Sequence, residues 1–253
     1  MFTKAIVRTP SKSIVKGIST ADLGIPDYSK ALEQHKNYIE ALKSCGLEVV
    51  CLEADEEFPD STFVEDVALL TRHCAVITNP GAESRKKEVA LIKPVIKSYY
   101  SIVEAIDSPA TLEAGDIMMV GDLFYIGLSE RTNQLGAERL ISILEKYQLT
   151  GSIVNFKEVL HLKTGVSYLE NNNLLACGEF LSSPEFKDFN IIEVPQAEAY
   201  AANSVWINDY VLTPKGFHTT KRLIESAGYK TIEVDVSEFQ KVDGGLSCLS
   251  LRF

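Results

Sequence analysis

The chain has 253 residues, 45% of them apolar, and a formal net charge of −10. That is enough apolar material for a sizeable core, and the wrong sign for a nucleic-acid partner, whose phosphates an acidic surface repels while a small cation is attracted. No run of about 18 apolar residues is present to cross a bilayer, and the opening MFTKAIVRTP lacks the apolar core and cleavage site of a secretory leader, so the expectation is a cytoplasmic protein without membrane or nucleic-acid partners.

In chain order, residues 5–7 read as a short strand ended by Pro10, and residues 11–27 as a long connection containing Gly17, Gly24 and Pro26. Connections of that length are often lids or binding segments. Leu32, Tyr38, Ile39 and Leu42 recur at helical spacing over 28–44, and a strand follows at 47–52. The next units repeat this order. Residues 64–70 and 74–78 predict two strands, 83–99 a helix and 101–105 a strand. Residues 111–120 and 123–126 predict a hairpin about Gly121-Asp122, followed by a helix over 134–147 and a strand at 152–156. Residues 160–170 and 174–176 predict a hairpin turning at Asn171, Asn172 and Asn173, with a short or missing helix before a strand at 191–194. Residues 204–207 and 210–213 turn at Asn208-Asp209, and a helix over 219–227, stopped by Gly228, leads to a strand at 231–234. The last stretch, DGGLSCLSLRF (243–253), reads at period two as a strand that follows Gly244 and Gly245 and carries Cys248 on its more polar face.

Each unit is strand, strand, helix, strand, and self-similarity at this period marks a repeat architecture. Four whole units lie between 64 and 236. The terminal strand, with the strand, helix and strand at the start, makes a fifth. The expected fold is one α/β domain over 1–253, a ring of five ββαβ modules in which the C-terminal strand closes against the N-terminal module and leaves no open edge. A polar residue recurs at the first strand of each unit, roughly every 45 residues: Glu65 with Asp66, Glu113, His161, Asn203 and Cys248. Closure would bring these to one axis.

Such a set has a definite chemistry. A thiolate is the reactive form of cysteine, and carboxylates beside it raise the thiol pKa unless a cation lies between them. A guanidinium is a planar, permanent cation that carboxylates hold through paired hydrogen bonds. Bound among Glu65, Asp66 and Glu113, it would present its central carbon to Cys248 while His161 moves protons. The five cysteines (Cys45, Cys51, Cys74, Cys177, Cys248) include no CxxC pair and no Cys/His cluster at zinc spacing, which argues against disulfides and a structural metal.

The motifs FPDSTFVEDVALL (58–70), NPGAESR (79–85), LEAGD (112–116), SERTNQLG (129–136), LHLKTG (160–165) and DGGLSCLSLRF (243–253) occur in that order. Across nearly its whole length the chain resembles the dimethylarginine dimethylaminohydrolases of the guanidine-modifying (pentein) superfamily. The resemblance implies a five-bladed α/β propeller with pseudo-fivefold symmetry, which agrees with the module count. It implies hydrolysis of Nω-methylated arginines to citrulline and a methylamine through a covalent cysteine intermediate, with no metal and no organic cofactor. It also implies residue roles. Cys248 matches the nucleophile, His161 the general acid/base, and Glu113 the carboxylate that orients the histidine and substrate. Glu65 and Asp66 match guanidine-holding positions, Arg85 and Arg131 the positions that hold the α-carboxylate, and Asp60 the position near the α-amino group. Ile18 and Val242 match apolar substrate contacts. The implied partner is a small-molecule substrate, and a homodimer is left open.

Read without the resemblance, several of these residues have plainer meanings. Glu65 and Asp66 are adjacent, so both can line a site only at a strand end or bulge. Arg85, beside Lys86 and Lys87, reads on spacing alone as the first turn of a solvated basic helix. Asp116 reads as a turn residue or anchor as readily as a ligand, and Asn203 as a turn residue. His35, His73 and His218 are surface or packing residues, and Trp206 and Tyr210 core. Two other functions stand beside the main one: an arginine deiminase-like hydrolase of another guanidine, and a non-catalytic binder of cationic ligands.

Overall fold

In the computed structural model, which describes residues 1–253, fifteen strands form five separate three-stranded sheets. In the first module, β1 (Lys4–Arg8) runs through the helix α1 (Tyr28–Ser44) to β2 (Glu48–Leu52), which lies parallel to it. The second holds β3 (Ala68–Leu70), β4 (Ala75–Ile77), α2 (Val89–Lys97) and β5 (Val103–Ala105). The third holds β6 (Ile117–Val120), β7 (Leu123–Leu128), α3 (Gln134–Lys146) and β8 (Thr150–Asn155). A one-turn helix, α4 (Leu162–Gly165), opens the fourth, followed by β9 (Val166–Tyr168), β10 (Asn173–Ala176) and β11 (Asn190–Glu193). In that module 3₁₀ turns at Gly178–Ser182 and Pro184–Phe186 replace the long helix. The fifth holds β12 (Val205–Ile207), β13 (Tyr210–Pro214), α5 (His218–Ser226) and β14 (Lys230–Val234). After the short α6 (Ser237–Gln240), β15 (Leu251–Arg252) pairs antiparallel with β1, Ala5 opposite Arg252 and Ile6 opposite Leu251. The C-terminal strand thereby completes the first blade.

Apolar side chains on the middle strands alternate between two neighbouring cores, so each strand is buried on both faces. Ala5 and Val7 join a cluster with Leu212, Val234 and Phe239 of the fifth module, whereas Ile6 between them joins Ala75, Ile92 and Ile96 of the second. Phe124 and Tyr125 divide in the same way between the second and fourth modules, as do Leu174 and Leu175 between the third and fifth. Five clusters thus fill the five boundaries of the ring.

One buried group makes this core acid-sensitive. His35, on α1, is buried with its Nε2 unpartnered, and burial lowers its pKa to about 4. An unfolded chain binds a proton at this ring below about pH 6.5 and the folded chain does not. Stability therefore falls as pH drops from about 6.5 to 4, by about 3 kcal/mol in total. Denaturant titrations of the parent and of His35→Leu across that window should differ by this amount, the variant being the flatter.

The structure departs from the sequence expectations at one recurring place. Where regular strands are expected at 64–70, 111–120, 160–170 and 246–253, the segment just before each pairing strand coils into a single turn. These turns span Val64–Val67, Ala114–Asp116, Leu162–Gly165 and Ser247–Leu249. Cys248 is therefore on a 3₁₀ turn and not on a strand face, and Glu65 and Asp66 share such a turn. The helix expected over 83–99 is likewise divided, a 3₁₀ turn at Glu83–Arg85 preceding α2.

Candidate active site

The axial turns bring chain-distant residues together. Asp66, Glu113 and His161 each present a ligand-type atom within 4.8 Å of the others. His161 precedes α4 and is held there from both sides. Its backbone exchanges capping bonds with Thr164, and Asp116 accepts from the N–H of Leu162 at 2.9 Å. Asp116 is fully buried and also accepts from the hydroxyls of Ser129 and Thr132, each at 2.7 Å, so it is the anchor of the histidine loop. The imidazole Nε2 lies 2.8 Å from Glu113 Oε2, and the backbone N–H of Ala82 donates to Glu113 Oε1 at 3.1 Å. Gly115 allows the close approach: a Cβ there would stand 2.7 Å from Asp66 Oδ1 and 3.0 Å from the imidazole.

Charges in this cluster are strongly coupled. Burial opposes the imidazolium, but Asp116, the hydrogen bond to Glu113 and the nearby Asp66 outweigh it and hold the His161 pKa up at about 9. The Cys248 thiol is driven the other way. Burial, then Asp66 and Glu65, push it up to about 12. At neutral pH the site therefore holds an imidazolium, a carboxylate on Glu113 and a neutral thiol.

The cleft is lined by Cys248, His161, Asp66, Glu113, Arg85, Ile18, Asp60, Arg131 and Val242, and of these only Cys248 and His161 also border an adjoining cavity. Arg85 is only 5% exposed, contrary to the solvated helix expected from its neighbours. It is ion-paired to Asp66 and Glu88 and donates to the carbonyls of Phe63 and Asp60 at 2.9 and 3.2 Å. Arg131 pairs with no carboxylate and is the cation of the cleft free to meet an anion. Asp60 accepts from the backbone N–H of Ile18 at 3.0 Å, which ties the 11–27 connection to the rim.

Glu65 departs from expectation. Lys163 lies 2.6 Å from its Oε1, Arg252 is 3.3 Å from the same oxygen, and the Ser247 hydroxyl donates to Oε2 at 2.7 Å. On the 3₁₀ turn, successive side chains diverge, so Asp66 lines the cleft while Glu65 lines a separate cavity with Phe2, Ile117 and Trp206. Trp206 and Tyr210, expected in the core, are half-buried and pack against its edge.

Several working residues were not legible as such. Asn203, expected as a turn residue, holds the Cys248 turn: its Oδ1 accepts from Ser247 N at 2.9 Å, and its Nδ2 donates to Lys163 O and Ser247 Oγ at 2.8 and 3.0 Å. One amide thus joins the cysteine's turn to the histidine's. Asn203→Ala leaves those buried groups without partners, at about 1–3 kcal/mol, and lets the turns separate. Turnover should fall about 100-fold, as measured by citrulline release beside a thermal melt. Asp243 was equally hidden. With φ of +57°, it aims its carboxylate at the N–H groups of Thr20 and Ala21, at 2.6 and 3.1 Å, and fastens the loop over the cleft. Its DGG context was the available signal, since Asp tolerates the left-handed region in turns.

Comparison with known proteins agrees with this geometry. A family model described as N,N dimethylarginine dimethylhydrolase, eukaryotic, matches residues 26–250. The chain is 57% identical over 254 residues to the N(G),N(G)-dimethylarginine dimethylaminohydrolase of Pseudomonas aeruginosa, with 100% of each covered. It is 33% identical over 252 residues to that of Streptomyces coelicolor, covering 98% of this chain and 96% of the relative. A crystal structure of a cysteine-to-serine variant of the Pseudomonas protein complexed with citrulline superposes with a TM-score of 0.99 at 56% identity, each chain fully covered. The N-terminal domain of ArgZ, at 21% identity and a TM-score of 0.87, covering 100% of this chain and 97% of that one, shares the fold. With five three-stranded blades closed into a propeller and this match over nearly its whole length, the chain belongs to the dimethylarginine dimethylaminohydrolase family.

Proposed function

We propose that the chain hydrolyses Nω-methylated arginines to citrulline and a methylamine, with Cys248 as nucleophile and His161 as general acid and base. The observation that carries this reading is the set of charges the cleft brings together. Arg131 and Asp60 match a carboxylate and an ammonium, and Cys248 with the close cluster of His161, Asp66 and Glu113 matches a guanidinium.

Asp66 and Glu113 hold the guanidinium, and Arg131 takes the α-carboxylate. Arg85, already balanced by Asp66 and Glu88, orients Asp66 instead of meeting substrate as a free charge. Asp60 receives the α-amino group, while Ile18 and Val242 enclose the aliphatic chain. The cation's arrival adds positive charge beside sulfur, so the high thiol pKa falls as substrate binds and the thiol proton passes to solvent. Cys248 Sγ adds to the central carbon, and the C–N bond to the methylated nitrogen breaks with a proton from His161. Water, giving its proton to the now neutral imidazole, attacks the amidino thioether, and the C–S bond breaks to release citrulline. The electrostatics come from the substrate's own charge and the carboxylates. Asp66, Glu113 and His161 lie close enough to surround a divalent ion, but an imidazole held protonated beside Glu113 has no lone pair to ligate one. A reaction that depends on a reduced thiol belongs in the cytoplasm.

A product assay tests the reading: citrulline should form from monomethyl- and asymmetric dimethylarginine, whereas agmatine, which offers Arg131 nothing, should yield no carbamoylputrescine. Equal turnover of agmatine would reject the assignment of Arg131, and citrulline from arginine alone would place the chain with the deiminases.

A further inference from the structure

The cleft that holds the amino-acid end of the substrate is small, a cavity of about 40 Å³. A second cavity of about 310 Å³ adjoins it, sharing Leu160, His161, Asp243 and Cys248 as wall. Its walls include Leu23 of the covering loop, Val159, Tyr200 and Gln240, with Glu158 and Asn203. None of Asp60, Arg85, Arg131, Ile18 or Val242 borders it. It therefore lies where a group leaving the guanidinium carbon toward His161 must go. At about 30 Å³ per water-sized group it has room for about ten, whereas a dimethylamine leaving group is two carbons and a nitrogen.

Building on the guanidine-hydrolase reading, we propose that this cavity admits Nω-substituents much larger than methyl, so that Nω-alkylarginines with chains of about four to six carbons are substrates. The wall offers apolar surface from Leu23, Val159, Leu160 and Tyr200 to an uncharged chain. Glu158 and Asp243 are unfavourable to an anionic one, and the one lysine on the wall, Lys163, is paired with Glu65. The step is the one already described. The C–S bond forms, the C–N bond to the alkylated nitrogen breaks with a proton from His161, and water returns Cys248, giving citrulline and an alkylamine.

The test uses the whole chain with Nω-methyl-, Nω-butyl- and Nω-(3-carboxypropyl)-L-arginine, with both products of each reaction identified. The expected result is citrulline with butylamine at a kcat/KM within about 30-fold of the methyl compound, and a further loss of about 10-fold or more for the carboxylate. Butylcitrulline with ammonia would mean that the chain points away from this cavity. That result, or a larger loss with butyl while methyl turns over, overturns the proposal and leaves the general reading standing. Failure of the methyl compound itself would instead overturn the reading on which the proposal rests.

Discussion

Replacing Glu113 with glutamine lowers dimethylarginine turnover by about 10²- to 10³-fold and moves the pH profile of what remains. In the parent, a carboxylate 2.8 Å from the imidazole helps to hold the His161 pKa up at about 9, so the ring is protonated at neutral pH and ready to donate to the leaving amine. A carboxamide keeps the shape and one hydrogen bond but withdraws the negative charge. Asp116 and Asp66 still raise the ring, so its pKa falls only part of the way toward the ordinary value of about 6.5. Above that new pKa the acid form is lost. The limb of kcat against pH that requires the imidazolium therefore shifts downward, and assays should show the largest deficit above pH 8. A deficit of the same size at every pH would mean that Glu113 serves packing or substrate binding rather than proton affinity.

Cys248→Ser should remove at least about 10⁴-fold of the activity while sparing binding. Burial and the nearby carboxylates, which push the thiol up to about 12, act equally on a hydroxyl, which begins far less acidic. One bound guanidinium does not close that gap. The other charges of the cleft are untouched, so the variant should still bind dimethylarginine by calorimetry with an affinity close to the parent's KM. Full turnover by the serine protein would reject the nucleophile assignment outright.

The five-module architecture could be read from residues because the middle strands are buried on both faces and each is followed by a helix-length periodic segment, a pattern strong enough to count. The one missing helix was also visible, since Ser183-Pro184 interrupts the segment where it would lie. The site was legible as a set of types at a regular interval, but not in its geometry. A single axial turn is too short to carry a period, so Cys248 and the Glu65-Asp66 pair were read on strands. Arg85 looked solvated because its sequence neighbours are lysines; its burial follows from Asp66, nineteen residues away, and from Glu88. Glu65 looked like a substrate ligand because its counter-ions, Lys163 and Arg252, are brought in only by the closed ring.

Closure between β1 and β15 also orders events during synthesis. Strand β1 is made long before β15 and finds its antiparallel partner only when residues 251 and 252 emerge, with Thr3 and Lys4 donating to the carbonyl of Phe253. Contacts so remote along the chain form late, because the loop they close costs the most entropy. Cys248 emerges only three residues before β15. A nascent chain on the ribosome can thus carry the carboxylates and the imidazole of the cleft while it still lacks the proposed nucleophile.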